Sequence, residues 1–213
     1  MKILQAAVNC IKNRKIDWVN GMNRESNVND EKLKWKTTEI KPLLHTPVFD
    51  VQSQHEVSAT GLEGDYVAVK APDWVVVVAV HEGNFVIVRQ WRHGEDKITL
   101  EFPGGVADPG ESPERTAMRE LEEETGYRAG RITCLGRVSA NPALFKNHFS
   151  VFLAEDLVQT GKQHLDADEF LKYTEMPIQE VVKHYGDDLF THAYMGTALA
   201  FYFREKMKYE ENK

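Results

Sequence analysis

Cysteine is nearly absent: Cys10 and Cys134 are the only two in 213 residues, far apart and without a metal-type spacing. That excludes a disulfide framework and a cysteine-built zinc site, and it fits a reducing compartment such as the cytosol. Long hydrophobic runs are lacking as well. VVVVAV after Trp74 has the length of a buried strand, far short of a membrane span. The opening MKILQAAVNCIKNRK is broken by Asn9 and Lys12 and is too short for a secretory signal. Positive charge is in deficit, with 26 Lys and Arg against 33 Asp and Glu, a net charge of −7. The deficit disfavours non-specific binding to nucleic acid or to an acidic membrane. An anionic small molecule stays open as a substrate, because a bound metal reverses the sign locally. What is present in quantity is core material: 42% of residues are hydrophobic and 10% aromatic.

Residues 1 to about 40 are polar, with a weak helical period through Leu4, Ala7 and Ile11 and then a loop, NGMNRESNVNDEK. From Val48 the pattern changes. VFDVQSQHEVSA and DYVAVKA predict two strands around Gly61 and Gly64, and DWVVVVAV and NFVIVRQW predict a hairpin turning at Gly83. ITLEF is a short strand ending at Pro103-Gly104-Gly105. Ser112 and Pro113 predict a helix start, and Gly126 its end. Strands are expected at 131–138, 148–154 and near 170–175, with an acidic loop from Gln159 to Asp168 between the last two. One helix should follow Pro177, and a longer one from about Asp188 should set Leu189, Ala193, Leu199, Ala200 and Phe203 on its core side. Mixed strands around a central helix, with helices closing the chain, imply an α/β or α+β layered domain.

The central helix, PERTAMRELEEET, carries more negative charge than a surface helix tolerates easily. At about 100° per residue, Ala117, Met118, Leu121 and Thr125 share a core side. Glu120, Glu123 and Glu124 share another, and Glu122 points nearly opposite Glu120. Three carboxylates on one face are oxygen ligands of the kind that Mg²⁺ or Mn²⁺ prefers, and a divalent cation cancels their repulsion. Arg119 and Glu111 can pair across the loop-to-helix junction, while Gly104 and Gly105 let backbone approach a metal or a phosphate. On acidity alone, a surface helix laced with i,i+4 pairs is the better explanation of the run.

The full spacing decides between them. Gly105, Glu111, Arg119, Glu120, Leu121, Glu123, Glu124, Gly126 and Tyr127 satisfy G-x5-E-x7-R-E-U-x-E-E-x-G-U, where U is a bulky apolar or aromatic residue. Chance gives such a match about once in a million chains at average residue usage. The stretch resembles the Nudix box of the Nudix hydrolases. That resemblance implies an α/β/α sandwich around a mixed sheet, with an N-terminal antiparallel β-subdomain over residues 1–70 ahead of a hydrolase domain at 71–213. It implies an enzyme that splits a diphosphate linked to a nucleoside with Mg²⁺ or Mn²⁺, the metal being held by Glu120, Glu123, Glu124 and the Gly104 carbonyl. Gly105, Glu111, Arg119 and Gly126 would shape the motif.

VRQWRHGEDKITLEFPGG is similar to the segment before the box in ADP-ribose pyrophosphatases and nucleotide-sugar hydrolases. By that likeness Arg92 and Glu101 meet the substrate, Pro142 marks the same subgroup, and Trp35 stacks on the base. Asp166, Asp168 and Glu169 fall where relatives keep the acid that activates water. For each, the plainer use is an ordinary one: a surface Arg, a strand-end Glu, a loop turn, a solvated loop. Core packing is the expected use of Trp74 and Trp91. The resemblance further implies a homodimer acting on a small molecule, and the low cysteine content a cytoplasmic location. GDP-mannose or another NDP-sugar is the alternative substrate. A non-catalytic ADP-ribose sensor is the alternative role, though sensors usually lose box glutamates that this chain keeps.

Overall fold

The structure is a computed structural model in which residues 30–161, 163–165 and 169–211 are described. The chain divides into two compact units, one of the described residues up to Lys41 with Ser53–Tyr66, the other of Pro42–Gln52 with Val67–Lys213. Strands β1 (Trp35–His45), β2 (Asp50–Ser58) and β3 (Glu63–Lys70) form a sheet in that order. The sequence did not point to β1, because all eleven of its residues are exposed and Pro42 sits within it, so no buried face imprints a period of two.

The second sheet is mixed. Strands β4 (Trp74–His81), β5 (Asn84–Arg92), β6 (Lys97–Glu101), β7 (Tyr127–Ser139) and β8 (His148–Gln159) run in the order β6-β5-β4-β8-β7, and β9 (Leu171–Pro177) pairs with β5. β4 lies parallel to β8, from Trp74 opposite Phe149 to Ala79 opposite Ala154. Both faces of this centre are covered, which is why β4 reads as an unbroken apolar run. Helix α1 (Pro113–Thr125) sets Ala117 and Leu121 against Val75, Val77, Ala79 and Val86. On the other face, α2 (Ile178–His184) and α3 (Ala193–Glu211) bring Val181, Met195, Ala198, Leu199 and Tyr202 against Val76, Val78, Phe85 and Ile87. This is the expected α/β/α sandwich. Enclosing one side chain such as Leu121 contributes about 2 kcal/mol.

Several expectations about packing need correction. Met118 is 40% exposed, and Thr116 takes its place on the buried side of α1 beside Ala117 and Leu121. Helix α3 begins at Ala193, so Leu189 precedes it, and its core stripe is Met195, Ala198, Leu199 and Tyr202 at i, i+3, i+4 and i+7. Ala193 and Ala200 are exposed and Phe203 only half-buried, leaving Leu199 as the one fully enclosed member of the expected set. Trp91 is 45% exposed rather than a core residue.

Candidate active site

The turn after β6 is laid along β4 like an extra strand. Val77 N–H donates to the Pro103 carbonyl at 2.8 Å and Val75 N–H to the Gly105 carbonyl at 2.9 Å. The Gly104 N–H turns the other way and donates to Glu124 Oε2 at 2.9 Å. Close approach explains both glycines: a Cβ on Gly104 would run into the Val75 carbonyl, and one on Gly105 into the Glu120 carboxylate.

Helix α1 presents its acids to that turn because both ends are fixed. The Ser112 hydroxyl accepts from Arg115 N–H at 3.3 Å, Pro113 opens the first turn, and Gly126 closes the helix at φ 70° with its N–H on Glu122 O. Glu120 and Glu124 are buried and Glu123 is partly exposed. Arg119 stands among them. Its Nη1 lies 3.0 Å from Glu120 Oε1 and 2.9 Å from Glu123 Oε2, its Nη2 lies 3.1 Å from Glu111, and Nη2 also donates to the Val106 carbonyl. The pairing of Arg119 with Glu111 is therefore as the spacing predicts.

Electrostatically the cluster is short of positive charge. Burial pushes Glu120 up to about 7 against the pull of Arg119, with Glu123 and Glu169 adding to the rise. Burial likewise holds Glu124 well above the carboxylate range, and Glu120 and Glu169 raise it further. A cation would restore their charge. A donor set of hard carboxylate oxygens fits a divalent ion of the Mg²⁺ type. As the side chains stand, no three acidic, histidine or cysteine groups among the described residues converge into a ligand shell, since the Arg119 guanidinium lies between Glu120 and Glu123.

Beside the cluster opens a cleft lined by Trp74, Arg92, Glu101, Gly104, His192 and Tyr194 among others. Arg92 grips Glu101 with two bonds, Nε to Oε1 at 2.8 Å and Nη2 to Oε2 at 2.6 Å, and the Thr99 hydroxyl donates to Oε1 at 2.5 Å. Burial would raise Glu101, but the bond and charge of Arg92 prevail and hold it below the usual range. The pair is thus a fixed plus-minus unit on the cleft wall.

Glu169 is exposed, and its charge acts on Glu120, Glu124 and Arg92. Asp166 and Asp168 lie outside the described residues. Pro142 sits in an exposed turn and does not line the cleft. Trp35 is 42% exposed at the start of β1, edge-on to Tyr66 at 5.5 Å. Sequence reasoning missed His192, Tyr194 and Trp74 as cleft residues, and Thr99 as the buried partner of Glu101. Two of them precede or open a helix with no motif around them, so only the folded chain brings them to Glu101.

Glu122 is turned from the cluster, as the helical phase requires. It pairs with Arg128 at 2.7 Å and receives the Thr160 hydroxyl at 3.2 Å. Glu122→Gln is expected to change turnover by less than about twofold and stability by about 0.5 kcal/mol or less; steady-state rates and a melt check both. Glu111 behaves differently. Hydrogen bonds from Arg119 lead the effects that hold it down at about 2. A carboxylate depressed on folding contributes stability that is complete above its ordinary value of 4.5 and fades as pH falls towards 2. Glu111→Gln should therefore lower the melting temperature at pH 7, and the gap from the parent should shrink between pH 4.5 and pH 2.

Two buried carboxylates under-compensated by positive charge thus lie beside a cleft whose wall carries the Arg92–Glu101 pair. Residues 70–195 match the NUDIX domain, and the chain belongs to the Nudix family as a Nudix hydrolase. It is 35% identical over 153 residues to an ADP-ribose pyrophosphatase of Bacillus subtilis (strain 168), covering 71% of this chain and 83% of that protein. Similarity to the ADP compounds hydrolase NudE of Escherichia coli (strain K12) is 27% over 79% of this chain and 91% of the other. A crystal structure of an ADP compounds hydrolase superposes with a TM-score of 0.73 at 26% identity, covering 83% of this chain and 96% of that one.

Proposed function

We propose that this enzyme hydrolyses the diphosphate bond of ADP-ribose, or of a related nucleoside diphosphate sugar, to a nucleoside monophosphate and a sugar phosphate. The carrying observation is the buried acidic cluster, under-compensated by positive charge, directly beside the Arg92–Glu101 cleft, in a chain whose relatives are named for ADP-ribose and ADP compounds. Glu120, Glu123, Glu124 and the Gly104 carbonyl would hold Mg²⁺ or Mn²⁺, with Arg119 withdrawing towards Glu111. Held there, such an ion would supply charge neutralisation for phosphate oxygens and a lowered pKa for a water beside phosphorus.

The protein's own groups do the rest. Arg92, kept rigid by Glu101, orients the anhydride and its flanking sugar. Glu169, placed where its charge is felt by Glu120 and Glu124, takes the proton of the attacking water; Asp166 and Asp168 of the same loop are the other candidates. Pro142 shapes the turn before β8, and Trp35 offers a ring face for the base.

The three-stranded sheet supports a homodimer through its exposed apolar side chains, Ile40, Leu43 and Leu44 on β1 and Leu62 and Val67 beyond it. No helix among the described residues is long and apolar enough to cross a membrane, and the low cysteine content suits the cytoplasm.

The test is a panel of ADP-ribose, GDP-mannose, UDP-glucose, NADH, FAD and diadenosine polyphosphates with Mg²⁺ or Mn²⁺, products being separated by chromatography. AMP and ribose 5-phosphate from ADP-ribose is the expected result. Cleavage confined to the dinucleotides contradicts it.

A further inference from the structure

His192 faces the cleft from the turn before α3, and its two ring nitrogens have different surroundings. The Tyr194 backbone N–H donates to Nδ1 at 3.2 Å, so Nδ1 is the acceptor and Nε2 carries the hydrogen. Burial keeps the imidazole below its usual pKa, against the opposing charge of Glu101, so the ring is neutral at pH 7. Among the described residues Nε2 makes no hydrogen bond, and its nearest acidic neighbour is Glu101 Oε2 at 3.7 Å. Among the described residues that oxygen accepts from Arg92 alone, which leaves it a lone pair, whereas Oε1 accepts from both Arg92 and Thr99. The gap of 3.7 Å is too long for a direct bond. It is the span that one hydroxyl oxygen bridges, accepting from Nε2–H and donating to Oε2 at about 2.8 Å from each.

What else could occupy that gap is limited by chemistry. A phosphate oxygen has no hydrogen to give and would be repelled by the Glu101 carboxylate. A nucleobase needs a flat slot, yet the rings here are packed on one another. Tyr194 stacks on Phe149 at 4.3 Å and meets Trp74 edge-on at 5.0 Å. A sugar hydroxyl suits the gap, since it donates and accepts at once and its carbon skeleton suits the wall of Trp74 and Tyr194.

We infer that His192 is a specificity-determining residue that, with Glu101, reads a hydroxyl of the sugar beyond the diphosphate. This rests on the proposed nucleoside diphosphate sugar substrate. The test compares the parent enzyme with His192→Phe, which keeps a ring but no donor, and His192→Gln, which keeps an N–H. Two compounds are used: ADP-ribose, and ADP methylated on its terminal phosphate, which has the same nucleoside and diphosphate but no second sugar. The methyl ester is read by its KM, or by its inhibition constant against ADP-ribose if it is not cleaved.

His192→Phe should raise the KM for ADP-ribose about tenfold with kcat within about threefold, the effect of one neutral hydrogen bond made in ground and transition state alike. The methyl ester should bind the variant and the parent equally, and His192→Gln should recover most of the loss. Equal weakening of both compounds, an unchanged KM, or a glutamine variant no better than phenylalanine overturns the assignment. A parent enzyme inactive on ADP-ribose would remove the substrate reading and this one together; the other adverse outcomes, with an active parent, remove only the role of His192.

Discussion

Glu123→Gln is expected to fold and melt like the parent enzyme while losing two to four orders of magnitude in kcat. The side chain is partly exposed and pairs with Arg119, so its charge is not needed for the core. In the proposed metal-binding role, loss of this one anionic ligand takes away several kcal/mol of transition-state stabilisation, and each 1.4 kcal/mol is about tenfold in rate. The measurement is steady-state hydrolysis of ADP-ribose at saturating Mg²⁺, beside a thermal melt. Near-parental turnover would remove Glu123 from the metal-binding set. The neighbouring Glu122→Gln is the internal control, since it differs by one position and points the other way.

Two adjacent glycines should respond in opposite ways to the same added methyl group. In Gly104→Ala the new Cβ meets the carbonyl of Val75, part of the central strand β4, and neither backbone can yield. Loss of about 2–4 kcal/mol of stability is expected, visible as a lowered denaturation midpoint. In Gly105→Ala the new Cβ meets the carboxylate of Glu120, the far end of a flexible side chain. The fold should survive with a nearly unchanged melt, while the displaced carboxylate lowers kcat about a hundredfold, the cost of misplacing a catalytic group by about 1 Å. If both variants proved equally unstable, or Gly105→Ala fully active, Glu120 would not be held against the turn as described.

The parts of this protein that were legible in its sequence are those where local chemistry has few solutions. Ser112-Pro113 and Gly126 delimit α1 because caps and left-handed backbone demand those residues. VVVVAV reads as a doubly covered strand because both of its faces are buried. Glu111 finds Arg119 because a helix and one turn fix their separation. Where no face is buried, nothing was written in the pattern. Strand β1 is exposed along its whole length and left no period to read. The phase of α3 was misjudged because its start depends on where the turn at His192 ends, and Met118 because an apolar residue was assumed to point inward. His192, Tyr194 and Trp74 were illegible as site residues for another reason. They reach the cleft from elements more than 100 positions apart in sequence, and only the sheet order brings them to Glu101.

The most direct test of the whole account is anomalous diffraction from crystals grown with Mn²⁺ and ADP-ribose whose bridging oxygen is replaced by methylene. Manganese peaks within coordination distance of Glu120, Glu123 and Glu124, with the Gly104 carbonyl turned to them and Arg119 drawn back to Glu111, are the predicted result. Manganese found elsewhere, with Arg119 still seated between Glu120 and Glu123 and the diphosphate bound away from the turn, would contradict it.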